Sequence, residues 1–314
     1  ITVTAKVTVT GETEPTDPDL LADFTFENAG ETFDGGNATG ATQGTATLAD
    51  GKDGKAAKLS KNFWLNVTAK NGDALLKGKN DVRGIPMVEP ELLKQVVTKL
   101  DAEGFQVHCH AIGDGAVRQS LDAVEAARNA NGDLGHRHHI SHIQLIHPDD
   151  QPRFRKLGII ANFQPLWAYA DDYITDLTLP FISPQTASTM YPIASMERSG
   201  AVIAFGSDWS VSTANPFEEM ETAITRMGSL GDTKTPFLPA ESIALPEALA
   251  AFTINAAYTN RDEKNTGSLE VGKLANLAVL DRNLFEIPAA EMSDTKVLLT
   301  LFEGKPVHGD LGLK

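Results

Sequence analysis

Cysteine occurs once in the 314 residues, at Cys109, so no disulfide framework within the chain is open to it. No apolar run approaches the roughly 20 residues that a membrane-crossing helix needs. Basic residues are the scarcer charge, 27 Lys and Arg against 42 Asp and Glu, giving a formal net charge of -15. A surface of that sign repels nucleic acid and anionic membranes over a Debye length of about 8 Å. The expected partner is therefore a small-molecule substrate, with neither nucleic acid nor a membrane. There is no Gly-x-Ser-x-Gly elbow, no phosphate-binding loop and no dinucleotide glycine fingerprint, which removes the main support for those classes. The chain opens on Ile1 without Met and without a charged stretch leading into an apolar one. The expectation is a removed leader or a piece of a longer protein, with the compartment open between cytoplasm and bacterial cell surface.

What is present is 41% hydrophobic, ordinary for a soluble globular protein with an ample core. Two textures meet near residue 85. Residues 1–84 are rich in Thr, Gly, Ala, Asn and Asp, and the alternating stretches Ile1 to Thr10 and Leu21 to Phe26 have the period of half-buried strands. Glu14 to Asp19 reads as a linker, and Gly35-Gly36, Asp50-Gly51 and Asp53-Gly54 as turns. Asn37-Ala38-Thr39 and Asn66-Val67-Thr68 match the glycosylation acceptor pattern, which also arises by chance.

From Pro90 the pattern alternates between helix and strand. Leu92, Leu93, Val96, Val97 and Leu100 share one helical stripe, and Val117, Leu121 and Val124 share the next. Strands are expected at Phe105 to His110, His138 to Gln144, Gly158 to Pro165 and Val202 to Trp209. Helices are expected at Pro148 to Leu157, Pro192 to Arg198, Phe217 to Met227 and Pro246 to Tyr258. Strands separated by helices imply a parallel sheet with right-handed crossovers. A closed barrel of that type needs eight such strands, and four are countable. Short β segments return at Gly267 to Asp281 and Lys296 to Gly309.

Three of these strands end in groups that ligate metals: His108-Cys109-His110, His138-His139-Ile140-Ser141-His142 and Gly206-Ser207-Asp208-Trp209. Together with Ala111 to Asp114, Tyr191-Pro192-Ile193, Phe252 to Ala257 and Gly267 to Asp281, they resemble the amidohydrolase superfamily. The branch resembled is the one that contains N-substituted formamide deformylases and is related to D-aminoacylases, and the likeness covers about residues 86–310. It implies an α/β fold: a partial (β/α)8 TIM-barrel equivalent to the fifth to eighth strands. A small β-sandwich accompanies it, to which residues 266–310 contribute. The domains expected are a β-rich segment at 1–84 and a C-terminal half-barrel at 85–314. Leu20 to Val67 is similar to the opening strands of a laminin-G or concanavalin-like domain, and Ile1 to Gly11 to the last strand of a bacterial immunoglobulin-like domain. A junction near Gly84 would join the two parts.

The resemblance implies a divalent metal, with zinc expected, and metal-dependent hydrolysis of amide, formamide or ester bonds. His110 and His142 match metal ligands, and Asp208 matches a ligand and catalytic proton acceptor. Three protein ligands and an open position for water are the usual hydrolytic arrangement. The family's His-x-His of the first strand has no counterpart, since residues 1–107 contain no His. Ser141 stands where a Glu is common, and Asn276 where an Asp is common. A spare ligand could come from His108, His139 or Cys109, and strand alternation puts His108 on the side of His110 and Cys109 on the other.

Cys109 reads as a buried small apolar residue, His136 to His139 as a polar loop, and Asp114 as a cap for a helix starting at Ala116. His108, His139, Trp167, Tyr169 and Trp209 are expected to contact substrate, since the aromatic residues follow strand ends. Leu166 to Met190 suits a lid. An open half-barrel leaves sheet edges and apolar surface bare, so a homo-oligomer is expected. The alternatives are a non-catalytic surface or carbohydrate-binding β protein joined to an inactive amidohydrolase remnant, or a metal-independent promiscuous ester hydrolase.

Overall fold

The computed structural model describes residues 88–231 and 233–309 in full, together with the backbone of short strands before them. Those strands are β1 (Thr2–Val3), β2 (Phe33–Asp34), β3 (Thr39–Gln43), β4 (Ala46–Gly51), β5 (Gly54–Leu59) and β6 (Trp64–Thr68). The linker at 14–19, the strand at 21–26, the turn at 35–36 and the junction at 84 lie outside the described residues. The chain divides into two compact units, Ile1–Ile160 and Ala161–Lys314.

In the first unit β1 and β2 pair antiparallel with β3, β3 pairs antiparallel with β6, and β4 and β5 form a separate antiparallel pair. Helix α1 (Pro90–Ala102) begins with Pro at its first turn, where the missing N–H costs nothing, and buries Leu93 and Val97 from the expected stripe. Strand β7 (His108–Ala111) then pairs parallel with β6. Helix α2 (Asp114–Asn131) buries Ala116, Val117, Leu121, Val124 and Ala127 and packs on α1. Each large apolar side chain buried this way contributes about 1.5–3 kcal/mol. Strand β8 (His139–His142) is parallel to β7, with His108 beside His139 and His110 beside Ser141. A 3-10 turn (Pro148–Asp150) leads into α3 (Gln151–Leu157), which ends because Gly158 takes a φ of +66°; nothing would obstruct a Cβ there, so the backbone angle alone calls for glycine. Ile160, opening β9 (Ile160–Phe163), donates its N–H to His138 O at 2.9 Å.

An ionic web ties α3 to α2. Arg153 reaches Asp122 at 2.6 Å, Glu125 at 2.7 Å and Asp150 at 3.0 Å, and Arg118 reaches Asp150 at 2.8 Å. Most of these groups are partly exposed, so the web is worth about 1 kcal/mol per contact at best.

The second unit continues from β9. The segment expected as a lid is ordered into a 3-10 turn (Pro165–Trp167), α4 (Asp172–Thr175), another 3-10 turn (Leu179–Phe181) and α5 (Pro184–Ala187), with Asp171 and Ser183 capping the two helices. Helix α6 (Ile193–Arg198) crosses to β10 (Val202–Phe205), where Gly206 N–H bonds Phe163 O at 3.2 Å beside β9. Helix α7 (Pro216–Thr225) follows, capped by Asn215. The single helix expected at 246–258 is two, α8 (Leu245–Phe252) and α9 (Ile254–Thr259), broken at Thr253. Thr253 Oγ1 returns to Leu249 O at 2.6 Å, and Asn255 Nδ2 donates to Ile203 O at 2.8 Å, anchoring α9 on β10. Gly267 packs against α9 so closely that a Cβ would lie 2.7 Å from Ala257 Cβ. An antiparallel sheet closes the described residues: β11 (Leu277–Leu280), β12 (Val297–Phe302) and β13 (Lys305–Gly309). Among the described residues no helix is long and apolar enough to cross a membrane.

Candidate active site

Strand alternation places His108 and His110 on one face of β7 and Cys109 on the other, turned to α2, where Ser120 hydrogen-bonds its thiol. Burial pushes that thiol up to about 11, so Cys109 is the buried, unreactive residue the sequence suggests. Across the ladder the His108 ring stacks on His139, centroids 4.4 Å apart and 29° between planes. His110 meets His142 edge-on at 4.2 Å and 63°. His108 Nε2 lies 2.5 Å from Ser141 Oγ.

His142 is three residues after His139, so simple alternation would send it to the helix side. Its φ of +77°, followed by +50° at Ile143, re-aims the ring toward His110. Such angles cost a non-glycine residue about 1 kcal/mol or more and gather at functional sites. The strand stays tied to β7 meanwhile, through Ile143 N–H to Ala111 O and Leu145 N–H to Ile112 O, both 2.9 Å.

Burial drives His108 down to about 4, aided by nearby His110, and holds His139 well below the usual imidazole range, aided by His108. Both rings are neutral at neutral pH, the form in which imidazole is a donor to metals.

Behind this face is a cluster the sequence did not disclose. His138, placed in a polar loop on sequence grounds, is buried: its Nε2 donates to Asp101 at 2.9 Å and its Nδ1 accepts from Val107 N–H at 3.0 Å. Asp101 also takes Arg128 at 3.2 Å and Asn131 at 2.9 Å. The partners are some thirty residues apart, so no local pattern marks them; the only signal is an Asp on the apolar stripe of α1. Asp114 is likewise corrected: it is the first residue of α2 rather than its cap, and its carboxylate accepts from Gly115 N–H at 2.9 Å.

The second unit holds Asp208, Trp167, Tyr169 and Trp209. Asp208 follows β10 with a φ of +52°, and its carbonyl accepts Val211 N–H at 2.8 Å. Trp209 is 71% exposed and so is no core residue, while Trp167 and Tyr169 are half-buried. Among the described residues no group of three or more His, Cys, Asp or Glu side chains is disposed to hold a metal ion. The donors thus fit a metal only in part, as the pair of adjacent imidazoles of His110 and His142.

On this α/β scaffold, residues 23–308 match the Amidohydrolase family. The chain belongs to that family. The match begins inside the segment that reads from sequence as a separate β region. The chain is 34% identical over 227 residues to Protein LONG AFTER FAR-RED 3 of Arabidopsis thaliana, covering 72% of this chain and 38% of that protein. It is 31% identical over 202 residues to N-substituted formamide deformylase of Arthrobacter pascens, covering 64% of this chain and 36% of that one. It therefore spans well under half the length of these relatives. Among solved structures, an uncharacterized metal-dependent hydrolase from Pyrococcus furiosus shares the fold, with a TM-score of 0.53 at 22% identity over 72% of this chain and 44% of the other.

Proposed function

We propose that this chain carries part of a metal-dependent hydrolase of amide, formamide or ester bonds. His110 and His142 would hold a divalent ion, zinc first, and the resemblance gives Asp208 the part of carboxylate ligand and proton acceptor. The observation that carries the reading is the contact of His110 with His142 on neighbouring parallel strands, made possible by a left-handed backbone at His142. His108, His139, Trp167, Tyr169 and Trp209 contact the substrate. The strands belong to a partial (β/α)8 barrel, residues 266–310 to its small β-sandwich, and the working form is a homo-oligomer. Family membership and the 31% identity to a deformylase support the amide and formamide preference.

Elemental analysis and calorimetric zinc titration of the purified chain test this together with hydrolysis assays. Expected are bound zinc, turnover lost on chelation and restored by zinc, and no bound zinc in His110→Ala or His142→Ala. Failure of the purified chain to bind zinc in the titration would overturn the ligand assignment, and a monomer in sedimentation would overturn the oligomer.

A further inference from the structure

We propose that Ser141 and His108 form a nucleophile and base that give this chain a second, metal-independent activity, acyl transfer from small activated esters. The Oγ to Nε2 distance of 2.5 Å is direct hydrogen-bonding contact, the geometry a serine nucleophile shares with its base. The two residues stand on adjacent parallel strands, diagonal across the ladder between the His108–His139 and His110–Ser141 positions, so regular backbone fixes both. The His139 ring packs on the face of His108, centroids 4.4 Å apart, and limits the rotation of that imidazole. Ser141 is 3% exposed, whereas His108 and His110 beside it are half-buried, so the imidazole side is the more open side of the pair.

In the first step Ser141 Oγ bonds to the acyl carbon while its proton passes to His108 Nε2. The ester C–O bond breaks, and the alcohol leaves with that proton. In the second step water attacks the acyl-serine, His108 takes its proton and returns it to Ser141 Oγ, and the carboxylic acid departs. One water and one ester give one acid and one alcohol.

The whole chain, treated with p-nitrophenyl acetate in the presence of a chelator, tests this. Expected are a burst of about one nitrophenolate per chain and an acetyl adduct mapped by mass spectrometry to Ser141. Ser141→Ala loses both while keeping its thermal midpoint, Ser141→Cys keeps the adduct as a thioester, and His108→Gln slows acylation about 100-fold. An adduct only on His or Lys, a burst surviving in Ser141→Ala, or a burst lost on chelation would overturn the proposal. Chelation separates the two activities, since it abolishes the metal-dependent turnover and leaves this acylation intact.

Discussion

Asp101→Ala cuts the buried cluster that holds the roots of β7 and β8. The wild-type carboxylate is fully buried and takes three hydrogen bonds, from His138, Arg128 and Asn131. Removing it takes the acceptor from an imidazole that is 1% exposed and leaves the Arg128 guanidinium, 11% exposed, with only the His136 and Leu157 carbonyls and Asp133. Breaking one partner out of a buried charged cluster costs about 3–5 kcal/mol. The pH dependence has a definite sign. Burial, the largest influence, depresses His138 below its usual value of 6.5, with the Asp101 hydrogen bond opposing it. A base with a lowered folded value contributes stability fully above its unfolded value and loses it as pH falls. Burial would raise Asp101, but hydrogen bonds from His138 and Asn131 outweigh it and hold the carboxyl below 3.8, so its contribution also drains toward acid. Urea unfolding followed by far-UV circular dichroism should show stability falling from pH 7.5 to pH 5.5, with a smaller slope in His138→Gln. A loss under about 1 kcal/mol in Asp101→Ala, or a wild-type stability flat over that interval, would refute the reasoning.

Three further outcomes are expected. His142→Gly should be more stable than His142→Ala by about 1 kcal/mol, reversing the usual order, because the φ of +77° suits only glycine; denaturant midpoints of the two variants check it. Arg226→Met should cost about 3 kcal/mol or more, since the fully buried guanidinium donates to Phe237 O at 2.9 Å and Tyr191 O at 3.2 Å, and thermal unfolding reads the loss. Trp209→Ala should leave stability within about 0.5 kcal/mol while raising KM of the metal-dependent turnover, because the indole is largely exposed; an unchanged KM would remove it from the substrate contacts.

Much of the fold from α1 onward is legible in the sequence. The stripe on α1, the breaks at Gly104 and Gly158 and the short apolar runs of β9 and β10 are local signals, and they place β7 to β10, α3, α6 and α7 within a few residues, whereas the segment of α4 and α5 reads only as a lid. The expected helix at 246–258 fails at Thr253, where a side-chain bond and the hold of Asn255 on β10 outweigh propensity.

Periodicity alone determined that His108 and His110 share a face and that Cys109 turns away from it, because a strand repeats every two residues. Tertiary structure decided what periodicity cannot encode. The left-handed turn at His142 brings its ring to His110 against the alternation, and the pairing of β7 with β8 sets His108 on Ser141. The burial of His138 on Asp101 joins residues 37 positions apart. Each depends on backbone angles and long-range contacts that form only when the strands and helices pack, so composition and spacing carry no trace of them.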